Sequence, residues 1–124
     1  MPSKIIVRVE NNKADAELND SETARKIWES LPVESKVNTW GDEIYFSIPV
    51  KIELENAKAV VSEGDLGYWP SGTAFCIFFG HTPMSRGEEI RPASPVNVFG
   101  RIVGDSKVLK KVVAGAKIIV EKAE

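Results

Sequence analysis

Residues Ala74-Phe75-Cys76-Ile77-Phe78-Phe79 form an unbroken apolar run, and that run constrains the fold more than any other feature of the chain. Side chains of a strand alternate between two faces. Phe75, Ile77 and Phe79 therefore share one face, and Ala74, Cys76 and Phe78 share the other. Both faces are apolar, so this strand must be central and covered on both sides. The run is strand-length, far short of the roughly 18 to 20 apolar residues that a membrane helix needs. It is also the longest such run, so no membrane partner is expected.

The rest of the chain supplies strands to surround it. Ile5, Val7 and Val9 alternate with polar or outward positions, as do Ala14, Ala16 and Leu18. Residues 4–18 thus read as a hairpin, with Asn11-Asn12 as its turn. Val33 to Trp40 and Glu43 to Val50 are two further strands around Gly41-Asp42. Lys58 to Val61 is a weaker one. Gly64 to Pro70 and Thr73 to Phe79 pair around Ser71-Gly72, and Val96 to Val103 and Ala116 to Lys122 complete the set. Two short helices are expected. One spans Ser21–Leu31, capped by Asn19 with Glu22, and turns Ala24, Ile27, Trp28 and Leu31 inward. The other spans Asp105–Val112, with Val108, Leu109 and Val112 inward. About eight strands with short connections point to a closed β-barrel, because closure leaves no unpaired edge. A chain of 124 residues with no composition shift is one domain, 1–124. It should bury roughly two thirds of its surface and expose about 6,600 Å².

Composition excludes several kinds of function. Sixteen basic and eighteen acidic side chains leave a formal charge of −2, which argues against a nucleic-acid partner held by bulk charge. Lys107, Lys110 and Lys111 read as a solvated helix face. A single cysteine and a single histidine rule out the familiar zinc spacings and an internal disulfide. No signal-peptide pattern opens the chain, so a cytoplasmic location is expected. No phosphate loop, dinucleotide fingerprint or nucleophile elbow is present. No metal or cofactor is therefore expected.

From Gly64 onward the chain resembles cyclophilins. Val98-Phe99-Gly100-Arg101-Ile102-Val103 with Val108 to Val112 looks like their V-F-G-x-V-x-x-G segment and its helix. Gly72-Thr73-Ala74-Phe75-Cys76-Ile77 looks like their G-S-Q-F-F-I strand, and Gly64-Asp65-Leu66 like the preceding G-x-L. A closer resemblance, over nearly the whole chain, is to a small prokaryotic cyclophilin-like family of unassigned function. Asn38-Thr39-Trp40-Gly41, Glu43-Ile44-Tyr45-Phe46, Gly67-Tyr68-Trp69-Pro70, Phe78-Phe79-Gly80, Thr82-Pro83-Met84-Ser85, Pro92-Ala93-Ser94 and Val96-Asn97-Val98 carry it. The resemblance implies an eight-stranded cyclophilin-like barrel capped by two helices.

Prolyl isomerase chemistry is not implied. Cyclophilins use an arginine of a Phe-His-Arg motif to hold the substrate carbonyl, and no arginine lies between Lys26 and Arg86 here. Their pocket glutamine falls at Ala74 and their pocket phenylalanine at Cys76. The histidine before V-F-G falls at Val96, and an alanine beside the pocket falls at Trp69. The barrel is kept and the catalytic face rebuilt, so no catalytic residue is assigned.

Residues 80–95 show no periodicity and contain Pro83, Pro92 and Pro95. Long irregular loops in small domains are often functional. Trp40, Tyr45, Tyr68 and Trp69 are large aromatics near turns, and in a strand Tyr68 and Trp69 must face opposite ways. Glu43, Thr82, Ser85, Ser94 and Asn97 offer polar groups beside them. These nine residues form the expected ligand site, on the outer face or rim, because an eight-stranded barrel is filled by its own side chains. The expected function is a non-catalytic module binding a small molecule or peptide. The alternative is an enzyme acting on a small molecule or proline-containing peptide, using Glu43, Asp65, His81, Arg86 or Arg91.

Overall fold

A computed structural model describes residues 3–123. The hairpin forms first in sequence: β1 (Lys4–Val9) and β2 (Asn12–Leu18) pair antiparallel, with Val9 opposite Asn12. The turn is Glu10-Asn11 instead of Asn11-Asn12, and Glu10 holds the left-handed conformation (φ 54°). The helix α1 (Glu22–Ser30) follows. Its cap is Ser21, whose hydroxyl accepts from the Ala24 N–H, and not Asn19. The Asn19 side chain instead accepts from the Ser21 N–H and donates to the Val98 carbonyl, tying the helix entry to the sheet. Thr23, Ala24 and Ile27 are the buried face of α1.

The remaining strands are β3 (Val33–Lys36), β4 (Asn38–Thr39), β5 (Glu43–Ser47), β6 (Asp65–Trp69), β7 (Ala74–Phe78), β8 (Asn97–Val103) and β9 (Lys117–Lys122). They form one sheet in the order β3-β9-β1-β2-β8-β6-β7-β5-β4. The two ends of that order, β3 and β4, are consecutive in the chain. Between them the Val37 N–H donates to the Ala116 carbonyl, and the Val37 carbonyl accepts from the Gly115 N–H. The single extended segment expected at Val33 to Trp40 therefore changes partner at Val37, from β9 to β5, and closes the barrel. The nine strands among the described residues are eight if this segment is counted once.

Every residue of β7 is buried, and β7 lies between β5 and β6. Its inward face fills the barrel. The Phe75 ring stacks on Phe46 at 4.8 Å and meets Phe99 edge-on at 4.9 Å. Its outward face, Ala74, Cys76 and Phe78, belongs to a second apolar cluster with Val61, Ile90 and Val96. The weak strand at Lys58 to Val61 is reduced to two isolated bridges, Lys58 with Val96 and Val61 with Ile90. The second bridge ties the irregular 80–95 loop, at Ile90, to the 58–61 segment. The chain exposes 6723 Å², close to the value expected from its mass.

The second helix is a 3₁₀ helix at Ser106–Lys111, capped by the Asp105 carboxylate. Side chains three apart eclipse in a 3₁₀ helix, so Ser106, Leu109 and Val112 turn inward. Val108, expected to be inward, is 40% exposed. Among the described residues, no helix is long and apolar enough to cross a membrane.

Candidate functional site

On the outer face of the sheet an apolar cleft joins several of the expected residues. Alternation along β5 sends Ile44 and Phe46 into the barrel, and Glu43 and Tyr45 outward. Register places Tyr45 opposite Cys76 and Glu43 opposite Phe78. Gly41 makes the turn before β5 (φ 63°), where an added Cβ would lie 2.8 Å from the His81 carbonyl. The Trp40 N–H closes that turn on the Glu43 carbonyl at 3.0 Å. Trp40, Glu43, Tyr45, Trp69 and Cys76, with Pro92, Ala93 and Val96 from the loop side, line a cleft of about 180 Å³.

Trp69 leaves the barrel at the end of β6. Its ring packs over Gly72, where a Cβ would come within 2.7 Å of the indole. The indole N–H donates to the Ser94 hydroxyl at 2.6 Å, so the loop is fastened to the ring. Tyr45 and Trp69 stand perpendicular, with centroids 6.3 Å apart and planes at 83°. The two rings make a corner, with the Glu43 carboxyl in the same cleft.

Glu43 is 5% exposed. Burial pushes its carboxyl up to about 7, and a hydrogen bond with the Cys76 thiol only partly opposes this. Burial also pushes the Cys76 thiol well above its ordinary value, and the neighbouring Glu43 adds to the effect. A cysteine nucleophile must be a thiolate, so Cys76 is an inert wall at neutral pH. Among the described residues no lysine, arginine or histidine pairs with Glu43.

Of the nine expected residues, Trp40, Glu43, Tyr45 and Trp69 line the cleft, and Ser94 braces it through Trp69. The other four lie elsewhere. Tyr68 is the member of the Tyr68-Trp69 pair that enters the barrel. It is fully buried, and its hydroxyl donates to the Val50 carbonyl and accepts from the Ile52 N–H. Asn97 is also buried: its amide donates to Thr23 Oγ1 and the Glu53 carbonyl and accepts from the Glu55 N–H. It clips the 53–55 segment to the barrel. Thr82 and Ser85 fold the loop on itself. The Ser85 hydroxyl accepts from the N–H groups of Thr82 and Arg91, and the Thr82 hydroxyl donates to the Arg91 carbonyl.

Four lining residues were absent from the expected site: Cys76, Pro92, Ala93 and Val96. Cys76 had a signal, since it sits on the outward face of β7 with Ala74. Only the β5–β7 register shows that this face meets Tyr45. The residues considered for an enzyme are not brought together. Glu43 lines this cleft, Asp65 a depression beside Arg101, His81 a third beside Lys107 and Lys110, and Arg86 and Arg91 a fourth.

The family model for cyclophilin-like proteins matches residues 3–121. The chain belongs to the cyclophilin-like family. The solution structure of the hypothetical protein AF2241 from Archaeoglobus fulgidus is 46% identical, with a TM-score of 0.85, covering 98% of this chain and 95% of that one. No curated protein matches the chain. In this cyclophilin-like barrel, Trp69, Cys76 and Val96 all line the cleft. These are three of the positions that the resemblance to cyclophilins aligns with the isomerase pocket.

Proposed function

We propose that this protein is a non-catalytic binding module and that the cleft under the 92–96 segment holds a small ligand. The observation that carries the reading is Glu43: a carboxyl 5% exposed, among aromatic and apolar walls, with no cationic partner among the described residues. Burying such a group costs stability unless it is satisfied. A purely structural satellite core would gain by placing an apolar residue there. Apolar walls around one polar group are the usual lining of a ligand site. The cleft is smaller than the roughly 300–1,000 Å³ of drug-sized pockets, which supports a ligand of few atoms or a single side chain of a peptide.

An enzymatic role has less support. The thiol is held neutral, and no second carboxyl and no lysine, arginine or histidine shares the cleft. No arginine lines the cleft to hold a prolyl carbonyl as the cyclophilin arginine does. A proline-containing peptide should therefore isomerise at its uncatalysed rate in the presence of the protein. Acceleration approaching that of active cyclophilins would overturn the non-catalytic reading.

The binding reading is tested with Trp69→Ala. The wild type, taken from its host under native conditions, should carry a small molecule visible by native mass spectrometry, or gain thermal stability from members of a broad compound set. Trp69→Ala should fold, because its ring lies outside the barrel, and should lose that mass or that response. A Trp69→Ala protein that fails to fold, together with a wild type that binds nothing, would make the aromatics a satellite core and end the proposal.

A further inference from the structure

The class of ligand follows from the lining, given the reading of the cleft as a ligand site. Three features of the lining narrow the choice. The side chains lining it include one carboxylic acid, Glu43, and no lysine, arginine or histidine. An anion would have to sit beside a carboxyl with nothing to neutralise it. The aromatic walls, Trp40, Tyr45 and Trp69, present electron-rich π-systems, which attract cations. Finally, Tyr45 and Trp69 stand at 83° to one another. Perpendicular walls receive a rounded group better than a flat plate, which would call for parallel rings. The size agrees, since a cleft of about 180 Å³ is below the range of drug-sized pockets and suits a small head group.

We propose that the cleft binds a small organic ammonium ion, its rounded cationic head set between Trp40, Tyr45 and Trp69 and beside the carboxylate of Glu43. The ion supplies the positive charge that the protein withholds from Glu43. An alkylated ammonium is weakly hydrated for a cation, so moving it among aromatic rings costs less than moving a compact, strongly hydrated one. The same site would take a free molecule or an alkylated amine on a peptide side chain.

Binding is coupled to a proton. Free Glu43 is half protonated near pH 7, and the ammonium needs the carboxylate, so at lower pH each binding event releases a proton to solvent. Few other groups bear on this titration. Tyr45 stands on the same strand and Cys76 faces Glu43 from β7, its thiol neutral across the range. The loop contributes only Pro92, Ala93 and Val96 to the cleft. Arg91, next along the loop, is paired with Glu89 and lines a different depression.

The test compares choline with its uncharged isostere 3,3-dimethylbutan-1-ol, by calorimetric titration of the full chain between pH 5 and pH 8. Choline should bind at least tenfold more tightly than the alcohol at pH 8. Its affinity should fall about tenfold from pH 8 to pH 6 and about a hundredfold from pH 8 to pH 5, as the carboxylate takes up its proton. Glu43→Gln should weaken choline at pH 8 and abolish that pH dependence. Equal binding of the two probes, or choline affinity that is flat or rises as pH falls, would overturn the ammonium proposal. So would the absence of choline binding. If a broad compound set still gives ligands that Trp69→Ala loses, only the ammonium proposal has failed. If that set gives none either, the binding reading has failed with it.

Discussion

Phe75→Ala should destabilise the protein by about 3–5 kcal/mol. The ring is 1% exposed and touches two others, Phe46 and Phe99, across the barrel interior. Removing it discards the transfer free energy of a whole aromatic side chain and leaves a hole where the three rings met. The barrel cannot easily collapse into that hole, because its wall is a single sheet of paired strands. The loss therefore belongs at the upper end of large-to-small substitutions. Urea denaturation of the two proteins measures it. A difference below about 1 kcal/mol would mean that Phe75 does not fill the barrel and that β7 has been assigned the wrong inward face.

Glu43→Gln should stabilise the protein at alkaline pH and leave it unchanged at acid pH. Burial holds the Glu43 carboxyl near 7 in the fold, against an ordinary value of 4.5. The folded state thus prefers the neutral acid, while the unfolded chain ionises freely above 4.5. Below about pH 4 both states carry the proton and Glu43 costs nothing as a charge. As pH rises from 4.5 through 7 the unfolded state gains by ionising first, and stability is lost. Above 7 the loss is constant, and each unit of displacement corresponds to about 1.4 kcal/mol, so the ceiling is about 3 kcal/mol. Glutamine keeps the shape without the titration. The difference in unfolding free energy should be near zero at pH 4 and reach about 2–3 kcal/mol at pH 8. A difference that does not change with pH would show that Glu43 is ionised and satisfied in the fold.

How far the sequence carries can be followed through particular residues. The two-faced apolar pattern at Ala74 to Phe79 was enough to make β7 central, and alternation located most of its neighbours. Where the chain departs from regular periods, local pattern and fold diverge. Val108 reads as inward on a 3.6-residue period, and a 3₁₀ turn moves the buried face to Ser106, Leu109 and Val112. Asn19 and Ser21 are both good helix caps. Only the Val98 carbonyl within reach of the Asn19 amide decides between them. At the site, alternation correctly separates Tyr68 from Trp69, because one of them must leave the barrel. It does not say which polar residues accompany Trp69. Thr82, Ser85 and Asn97 look like site residues in sequence because they are polar, near prolines and near aromatics. In the fold their hydrogen bonds are spent on the loop and on the 53–55 segment. Cys76 looks like plain core, and it faces the cleft because of cross-strand register, a long-range property that no local pattern encodes.

The central claim is that ligands enter the cleft formed by Trp40, Glu43, Tyr45 and Trp69, and the chain contains its own reporters for this. It has three tryptophans. Trp40 and Trp69 line the cleft. Trp28 lies on α1, half-buried against the barrel core, with the Lys122 ammonium 4.9 Å from its ring. Each gives an indole N–H signal in a nitrogen-15 correlation spectrum. A screen of small compounds, choline among them, should yield ligands that shift the Trp40 and Trp69 indole signals in a saturable way and leave Trp28 in place. Ligands that move Trp28 or the 82–85 amides while Trp40 and Trp69 stay still, or a screen in which no compound moves the two cleft indoles, would contradict the account.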